Sequence, residues 1–260
     1  MRLGPLITAA ICTLGIVAAP VRAAELAAHR ALYSLTMVSS RGDVTGATGT
    51  MSFEALDACE GWTVRQRLAM TLTNRDGQDV EMVSDYATYE TKDGLSLRFH
   101  MRQTTDGNAT SDVAGDASLE RAGSAGEARY TAPEKIVKPL PAGTLFPMAH
   151  TEAILAAARA GKRLIALPLF DGTSADGVQD SSIAIANWLP PAPGKWPDLN
   201  ILASGRMQLA FFERGGSGQP DYEVGMRYWD NGVSDDLTMN FGDFIMRGVM
   251  KEFTLMPKGC

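Results

Sequence analysis

Three cysteines are the most reactive side chains of the 260-residue sequence, at Cys12, Cys59 and Cys260. A cysteine can remain a free thiol, accept a lipid or form half of a disulfide, and the choice depends on the redox compartment. Cys260 is the last residue, within MPKGC, where a side chain has few neighbours to pack against. Its role therefore depends on the compartment, which the other end of the chain indicates.

The first 23 residues have the layout of a cleaved secretory signal peptide. Arg2 provides a positive start, an apolar run covers residues 6–19, and Val21 and Ala23 place small side chains where a signal peptidase needs them. The apolar run is shorter than the about 20 residues that a membrane-spanning helix requires. We expect export to the periplasm, with residues 1–23 removed as the signal peptide.

Removal of the signal leaves Cys59 and Cys260, unless Cys12 is kept as a lipidated residue, which is the alternative. In an exported protein an even pair of cysteines favours a disulfide. The bond would join positions 201 apart (260 less 59). It would hold the last strand, whose edge would otherwise lie open. Two free thiols, or a bond between two molecules, remain the other possibility.

The histidines are candidates for acid–base or metal chemistry. They are His29, His100 and His150, and they stand in no metal-binding spacing. A hydrolase could use His150 and Asp171 as an acid–base pair, with Thr173 or Ser174 beside them. The structural alternative is a polar residue at a helix start and an Asp-Gly turn. We expect no enzyme, no metal and no cofactor.

The charge of the chain is acidic. Lys and Arg number 24 against 30 Asp and Glu, and loss of Arg2 and Arg22 with the signal leaves 22 positive charges and a net charge of −8. No basic cluster suited to a phosphate backbone occurs, so we expect no nucleic-acid partner. No second long apolar run follows the signal, so we expect a soluble mature protein without a transmembrane segment.

Alternating apolar residues predict strands along most of the remaining chain. In HRALYSLTMV, Ala31, Tyr33, Leu35 and Met37 share one face, and GLSLRFHMR repeats the pattern. Asp-Gly or Asn-Gly pairs, which favour two-residue hairpin turns, separate such runs. They stand at residues 76–77, 93–94, 106–107 and 231–232. The pattern predicts a long antiparallel meander of about a dozen strands.

One segment, PMAHTEAILAAARAGKR, predicts the single helix, with Thr151 as its cap and Gly161 as its stop. A proline-rich segment, NWLPPAPGKW, predicts a surface loop anchored by Trp188 and Trp196. No linker or repeat divides the chain, so residues 24–260 are predicted to form one all-β domain with one packed helix. We expect the 13 methionines to fill the core, with an apolar cleft in a curved sheet as the alternative.

Five segments, in order, carry a likeness over essentially the whole chain after the signal. They are AHRALYSLTM, DACEGWTVRQRL, LPAGTLFPMAHT, LFDG and NFGDFIMRGVMKEFTLMPKGC. Together they resemble the cell envelope integrity EipB family of alphaproteobacterial periplasmic proteins. The resemblance implies a β-spiral, in which a long antiparallel sheet curls into an open, barrel-like form around one α-helix. It also implies a disulfide between Cys59 and Cys260.

The resemblance further implies a non-enzymatic protein that maintains the cell envelope under stress. Its partner would be another periplasmic protein, or an envelope component such as a lipid or peptidoglycan. The alternative is a carrier or sensor that holds a lipophilic ligand in the concave sheet, because the fold is similar in outline to that of periplasmic lipoprotein carriers. No catalytic or ligand-binding residues come with the resemblance, so Cys59 and Cys260 are the predicted site residues.

Overall fold

The computed structural model describes residues 25–216 and 218–260, so the predicted signal peptide and Cys12 lie outside the described residues. The described chain forms one antiparallel sheet of 14 strands with one α-helix and one short 3-10 helix. The strands are β1 (His29–Ser40), β2 (Val44–Asp57), β3 (Gly61–Asn74), β4 (Asp79–Thr91), β5 (Ser96–Thr105), β6 (Asn108–Leu119), β7 (Gly126–Ala132), β8 (Val137–Leu140), β9 (Leu164–Leu169), β10 (Gln179–Ile185), β11 (Ser204–Glu213), β12 (Tyr222–Trp229), β13 (Ser234–Asn240) and β14 (Phe244–Leu255). The helices are α1 (Pro147–Arg159) and η1 (Pro197–Leu199).

The edges of the sheet come from the middle of the chain. The strand order is β8-β7-β6-β5-β4-β3-β2-β1-β14-β13-β12-β11-β10-β9, so the first and last strands pair with each other near the centre. β8 and β9 are the two edge strands, and the sheet is therefore not closed. The predicted antiparallel meander, open and barrel-like with one helix, is confirmed, although it has 14 strands where about a dozen were expected.

The predicted hairpin turns are confirmed. The four Asp-Gly and Asn-Gly pairs lie between β3 and β4, β4 and β5, β5 and β6, and β12 and β13. Their glycines have φ angles between 68° and 83°, the left-handed region that such turns require. The alternation between them places one face of the sheet inside. On β1, for example, Ala31, Tyr33 and Leu35 are at most 5% exposed.

The last strand is not an edge strand, so the expectation of an open final edge is wrong. β14 pairs with β1 along its whole length and with β13 along residues 245–248. The last strand therefore has neighbours on both sides.

The proline-rich loop, residues 187–196, lies against β14 where the pairing with β13 stops. The Lys195 ammonium donates to the Met250 carbonyl oxygen at 3.0 Å, and the Trp196 and Phe253 ring centroids are 5.8 Å apart. The loop is thus anchored by Trp196, and Trp188 also packs against the core, as predicted.

Contacts between distant strands show how the sheet curls. The segment that follows edge strand β9 crosses to strands of the other half of the sheet. The Tyr86 hydroxyl on β4 donates to the Asp171 carbonyl oxygen at 2.5 Å, and Phe170 packs against Phe99 on β5 with ring centroids 5.3 Å apart. The inward faces of both halves therefore enclose one interior, and α1 is packed within it.

The helix is confirmed, but its predicted cap is wrong. α1 begins at Pro147, with Phe146 at the N-cap position and no side-chain cap from that residue. Thr151 lies inside the helix, where its hydroxyl donates to the Pro147 carbonyl oxygen at 3.0 Å. Gly161, with φ of 72°, follows the end of the helix as predicted. Ile154, Leu155 and three other residues of α1 are buried, which fixes the helix against the sheet.

Gly172 is predicted to be required where the β9–β10 connection meets β5. Its φ is 70°, and an added Cβ would lie 2.3 Å from the Phe99 ring. We expect Gly172→Ala to lower the free energy of unfolding in urea by about 2 kcal/mol, because an L-residue is strained at this φ and the ring must move. Gly107→Ala is the control, since Gly107 has φ of 76° but no atom within 4 Å of the added Cβ. Equal losses in the two variants would contradict the steric part of the argument.

Candidate functional site

The two predicted site cysteines lie together at the end of the sheet. The Cα atoms of Cys59 and Cys260 are 5.5 Å apart, with the sulfur atoms placed for a disulfide, and this is the usual separation for such a bond. Cys59 occupies the turn between β2 and β3 with φ of 65°, and its N–H donates to the Asp57 carboxylate at 3.0 Å. The geometry permits the pairing, and formation of the bond in the mature protein stays a prediction.

The end of the chain lies close against the β2–β3 turn. At Gly259 an added Cβ would stand 2.0 Å from the Asp57 carbonyl oxygen, so the two backbones touch. Lys258 pairs with Glu25, and Lys92 pairs with the Asp57 carboxylate at 2.7 Å. Ion pairs as exposed as that of Lys258 contribute little to stability. The close approach at Gly259 and the cysteine pair are therefore the main contacts that hold the terminus.

His150 is not placed to act as a general base on a neighbouring hydroxyl. Its Nε2 is 2.8 Å from the Ser181 hydroxyl oxygen, and that hydroxyl donates to the Leu167 carbonyl oxygen at 2.7 Å. Because a serine has one hydroxyl hydrogen, His150 Nε2 carries a proton and donates it. Burial lowers the pKa of His150 to about 4, so the ring is neutral near pH 7. The contact is a structural one, but His150 does not cap the helix as the alternative to catalysis expected, because it lies within α1.

Asp171 is held within its own turn. Its carboxylate accepts hydrogen bonds from the Thr173 N–H at 3.0 Å, the Thr173 hydroxyl at 2.8 Å and the Gln179 amide at 2.9 Å. The Ser174 hydroxyl accepts from the Asp176 N–H at 3.2 Å. Burial raises the pKa of Asp171. These bonds form an Asx-type turn, and no hydrogen bond to His150 is among them.

The curled sheet and α1 enclose a cavity of about 740 Å³. This volume lies within the about 300–1,000 Å³ of typical ligand sites. Inward side chains of β1–β5 and β11–β13 line it, together with the first turn of α1. Seven methionines, including Met51, Met70 and Met82, and eight Phe or Tyr residues are in the lining. The apolar cleft, the alternative role for the methionines, is therefore present, and Met51 and Met70 also belong to the core.

The wall of the cavity carries almost no charge. Among the described residues that line it, Asp171 is the one carboxylic acid, and neither Lys nor Arg occurs. His29 and His150 also line the cavity, and burial lowers the pKa of His29 as it does that of His150. The Tyr33 hydroxyl donates to the Ser234 carbonyl oxygen at 2.6 Å. Near neutral pH the lining thus offers no cation to a ligand.

Glu90 is a buried acid beside the cavity, and the sequence analysis missed it. It is 1% exposed, and its carboxylate accepts hydrogen bonds from the N–H groups of Met148 at 2.7 Å and Ala149 at 2.9 Å. Glu90 therefore supplies, from β4, the cap that Phe146 cannot provide for α1. Burial raises the pKa of Glu90 to about 7, against the effect of these two bonds. The sequence does contain a sign of this burial, because Glu90 follows Tyr86 and Thr88 on the same, inward face of β4.

The described residues lack the side-chain clusters of a metal site and the long apolar helices of a membrane span. They contain no group of three or more His, Cys, Asp or Glu side chains that could hold a metal ion. No helix in this part of the chain is long and apolar enough to cross a membrane. The cavity and the cysteine pair are the candidate functional sites.

Comparison with known proteins gives consistent matches over most of the chain. A family model described as EipB-like matches residues 20–257. The cell envelope integrity protein EipB of Brucella abortus (strain 2308) is 29% identical over 252 residues, which cover 91% of this chain and 87% of that protein. A crystal structure of a beta-barrel-like protein of a domain of unknown function from Brucella abortus superposes with a TM-score of 0.81 at 27% identity. It covers 89% of this chain and 99% of the other.

Proposed function

The chain belongs to the EipB-like family, and from this premise we propose that it maintains the integrity of the cell envelope as a non-enzymatic periplasmic protein. The observation that supports an envelope role is the likeness to an envelope integrity protein over 91% of the chain. The same likeness extends to the whole fold, since the matched crystal structure is covered over 99% of its length.

Two observations support a role without catalysis. The His150 ring donates its Nε2 proton to Ser181, whose own hydrogen is committed to a backbone carbonyl. Asp171 is occupied by hydrogen bonds within its turn. A nucleophile needs a base that can accept its proton and an orienting group behind that base. The residues that the sequence offered for a hydrolase meet neither requirement.

Periplasmic location is supported by the pattern of residues 1–23 and by the placement of Cys59 and Cys260. A signal peptide delivers the chain to an oxidising compartment, where disulfides form and persist. The two features are independent in sequence and agree in their consequence. The mature protein would thus act between the membranes, through a periplasmic protein partner or an envelope component.

The cavity favours one kind of envelope component, a lipophilic molecule. A largely apolar space of about 740 Å³ is far larger than the voids of ordinary protein cores. Methionine and aromatic side chains adapt to flexible apolar ligands. As a second candidate function, the protein would carry or sense a lipid by holding its apolar part inside the curled sheet.

A complementation experiment tests both the envelope role and the need for an open cavity. A deletion strain should become sensitive to detergents and envelope-directed antibiotics, and the wild-type gene should restore resistance. Met51→Trp should fail to restore it, because the indole occupies the cavity that Met51 lines. Ser52→Trp is the matched control, since Ser52 is the next residue on β2 and is exposed.

The possible outcomes distinguish an error in the envelope role from an error in the role of the cavity. Wild-type resistance in the deletion strain would contradict the envelope role. Full restoration by Met51→Trp, produced and folded like the wild type, would leave the envelope role intact and exclude the need for an empty cavity. Circular dichroism and thermal unfolding of the two purified variants separate loss of the cavity from loss of the fold.

A further inference from the structure

Four uncharged polar side chains form a patch on the β3–β5 wall of the cavity, which we call the polar band: Gln66, Ser84, Tyr86 and Gln103. All four line the cavity. Gln66 on β3 pairs in register with Tyr86 on β4, and Ser84, two residues before Tyr86 on β4, pairs with Gln103 on β5. Since Ser84 and Tyr86 share one face of β4 and side chains opposite each other lie about 5 Å apart, the four residues are neighbours.

Two members of the polar band already have partners inside the protein. The Ser84 hydroxyl donates to the Met101 sulfur at 3.4 Å, and the Tyr86 hydroxyl donates to the Asp171 carbonyl oxygen at 2.5 Å. The side chains of Gln66 and Gln103 are half-buried and line the cavity. These amides therefore face space that water or a ligand can reach, and each offers two donors and one acceptor.

Apolar surface extends along the wall beyond the polar band. On β3, the lining side chains run from Val64 through Gln66 and Leu68 to Met70, a span of about 20 Å at 3.3 Å per residue. Beyond Met70, the lining continues to Phe241 and Phe244, next to the β13–β14 turn. Along β3 the cavity thus provides a long apolar path that is interrupted at Gln66, where an amide is available for hydrogen bonds.

The charges of the wall select against an anion. The described lining contains no Lys or Arg, and burial lowers the pKa of both His29 and His150, so neither ring is a cation near pH 7. Asp171 supplies a carboxyl group, which provides no positive charge, and Tyr33, Tyr222 and Tyr228 are neutral phenols at this pH. A carboxylate or phosphate moved from water into this wall would be desolvated without a counter-charge, which is strongly unfavourable.

We infer that the cavity binds an acyl chain that is joined to its carrier through an uncharged ester or amide, and that it rejects free fatty acids. The inference rests on the proposed lipid-holding function. The chain lies along the apolar path, and the carbonyl group of the linkage accepts a hydrogen bond from Gln66 or Gln103. Any charged headgroup of the ligand stays outside the cavity.

Displacement of a neutral apolar dye, N-phenylnaphthylamine, tests the inference with purified mature protein at pH 7.5. The competitors are hexadecanamide, methyl hexadecanoate and hexadecanoate, each below its aggregation limit. We expect the amide and the ester to bind at least tenfold more tightly than the carboxylate. A carboxylate that binds as tightly as the amide, or more tightly, would overturn the inference while leaving lipid holding intact.

Variants of the polar band provide the second measurement. The double variant Gln66→Leu, Gln103→Leu should bind the dye as the wild type does and lose at least tenfold in affinity for the amide. Gln208→Leu on β11, where Gln208 is exposed, is the control and should change neither affinity. Unchanged amide affinity in the double variant would overturn the assignment of the band. If neither the dye nor any competitor binds, the lipid-holding function itself is wrong, and the inference, which depends on it, is wrong as well.

Discussion

Replacing Cys59 or Cys260 by serine is expected to lower the free energy of unfolding by about 5 kcal/mol, the largest single effect that we predict. The two residues are 201 positions apart, and a cross-link over so long a loop removes much of the conformational entropy of the unfolded chain. The terminus would also lose the hold that keeps Gly259 against the β2–β3 turn. The measurement is thermal or urea unfolding of the oxidised mature protein.

The double variant should lose no more free energy of unfolding than either single variant, because each substitution removes the same bond. Reductant should destabilise the wild type and leave the double variant unchanged, which controls for effects of the reagent. Quantitative thiol labelling after unfolding without reductant decides whether the bond exists. Two reactive thiols per chain would show that it does not form, and covalent dimers on a non-reducing gel would show that it joins separate molecules.

Glu90→Ala should lower the free energy of unfolding by about 3 kcal/mol at pH 6, because the N–H groups of Met148 and Ala149 lose their acceptor in a buried place. The substitution also leaves a void near the start of α1. Glu54→Ala is a suitable control, since Glu54 is another glutamate on a neighbouring part of the sheet whose partner, Arg30, is exposed. A loss at Glu90 no larger than at Glu54 would contradict the capping role.

The pH dependence of stability should report on the same carboxyl group. Burial raises the pKa of Glu90 from 4.5 to about 7, so the folded protein binds this proton more tightly than the unfolded chain does. The resulting stability is complete below about pH 4.5 and is lost as the pH rises through about 7, by about 3 kcal/mol in all. Glu90→Gln keeps an acceptor and cannot ionise. The wild type should therefore lose stability relative to Glu90→Gln between pH 5 and pH 8, and parallel curves would refute this.

The elements of this fold could be predicted from sequence because each is set by local rules. Alternation on β1 and left-handed glycines after Asp or Asn specify strands and hairpins without knowledge of distant contacts. The end of α1 at Gly161 follows the same kind of rule. The start of α1 does not, because its cap is Glu90, more than fifty residues earlier in the chain. Local reasoning assigned that role to Thr151, the nearest side chain able to cap.

The candidate site was less predictable, since the cavity results from curvature that brings β3–β5 opposite β11–β13. A methionine such as Met51 has the same pattern whether it fills a core or lines a space. Gln66 and Gln103 stand at inward positions of their strands, where polar side chains are uncommon. That was the local sign of the polar band. From sequence alone these two glutamines could not be recognised as neighbours. Their proximity follows from the position of β4, which lies between β3 and β5 and carries Tyr86 and Ser84.

The order of the strands divides the chain into two successive meanders, β1–β8 and β9–β14. Twelve of the thirteen neighbouring strand pairs join consecutive strands, and the exception is β1 with β14. Cys59 belongs to the first meander and Cys260 to the second, so with their bond in place the two halves are linked twice, through the peptide around α1 and through sulfur. A single backbone cut between β8 and β9 would then release neither half. Residues 59–260 would then form a covalent ring, and after a single cut within that ring the two fragments would stay covalently joined until the bond is reduced.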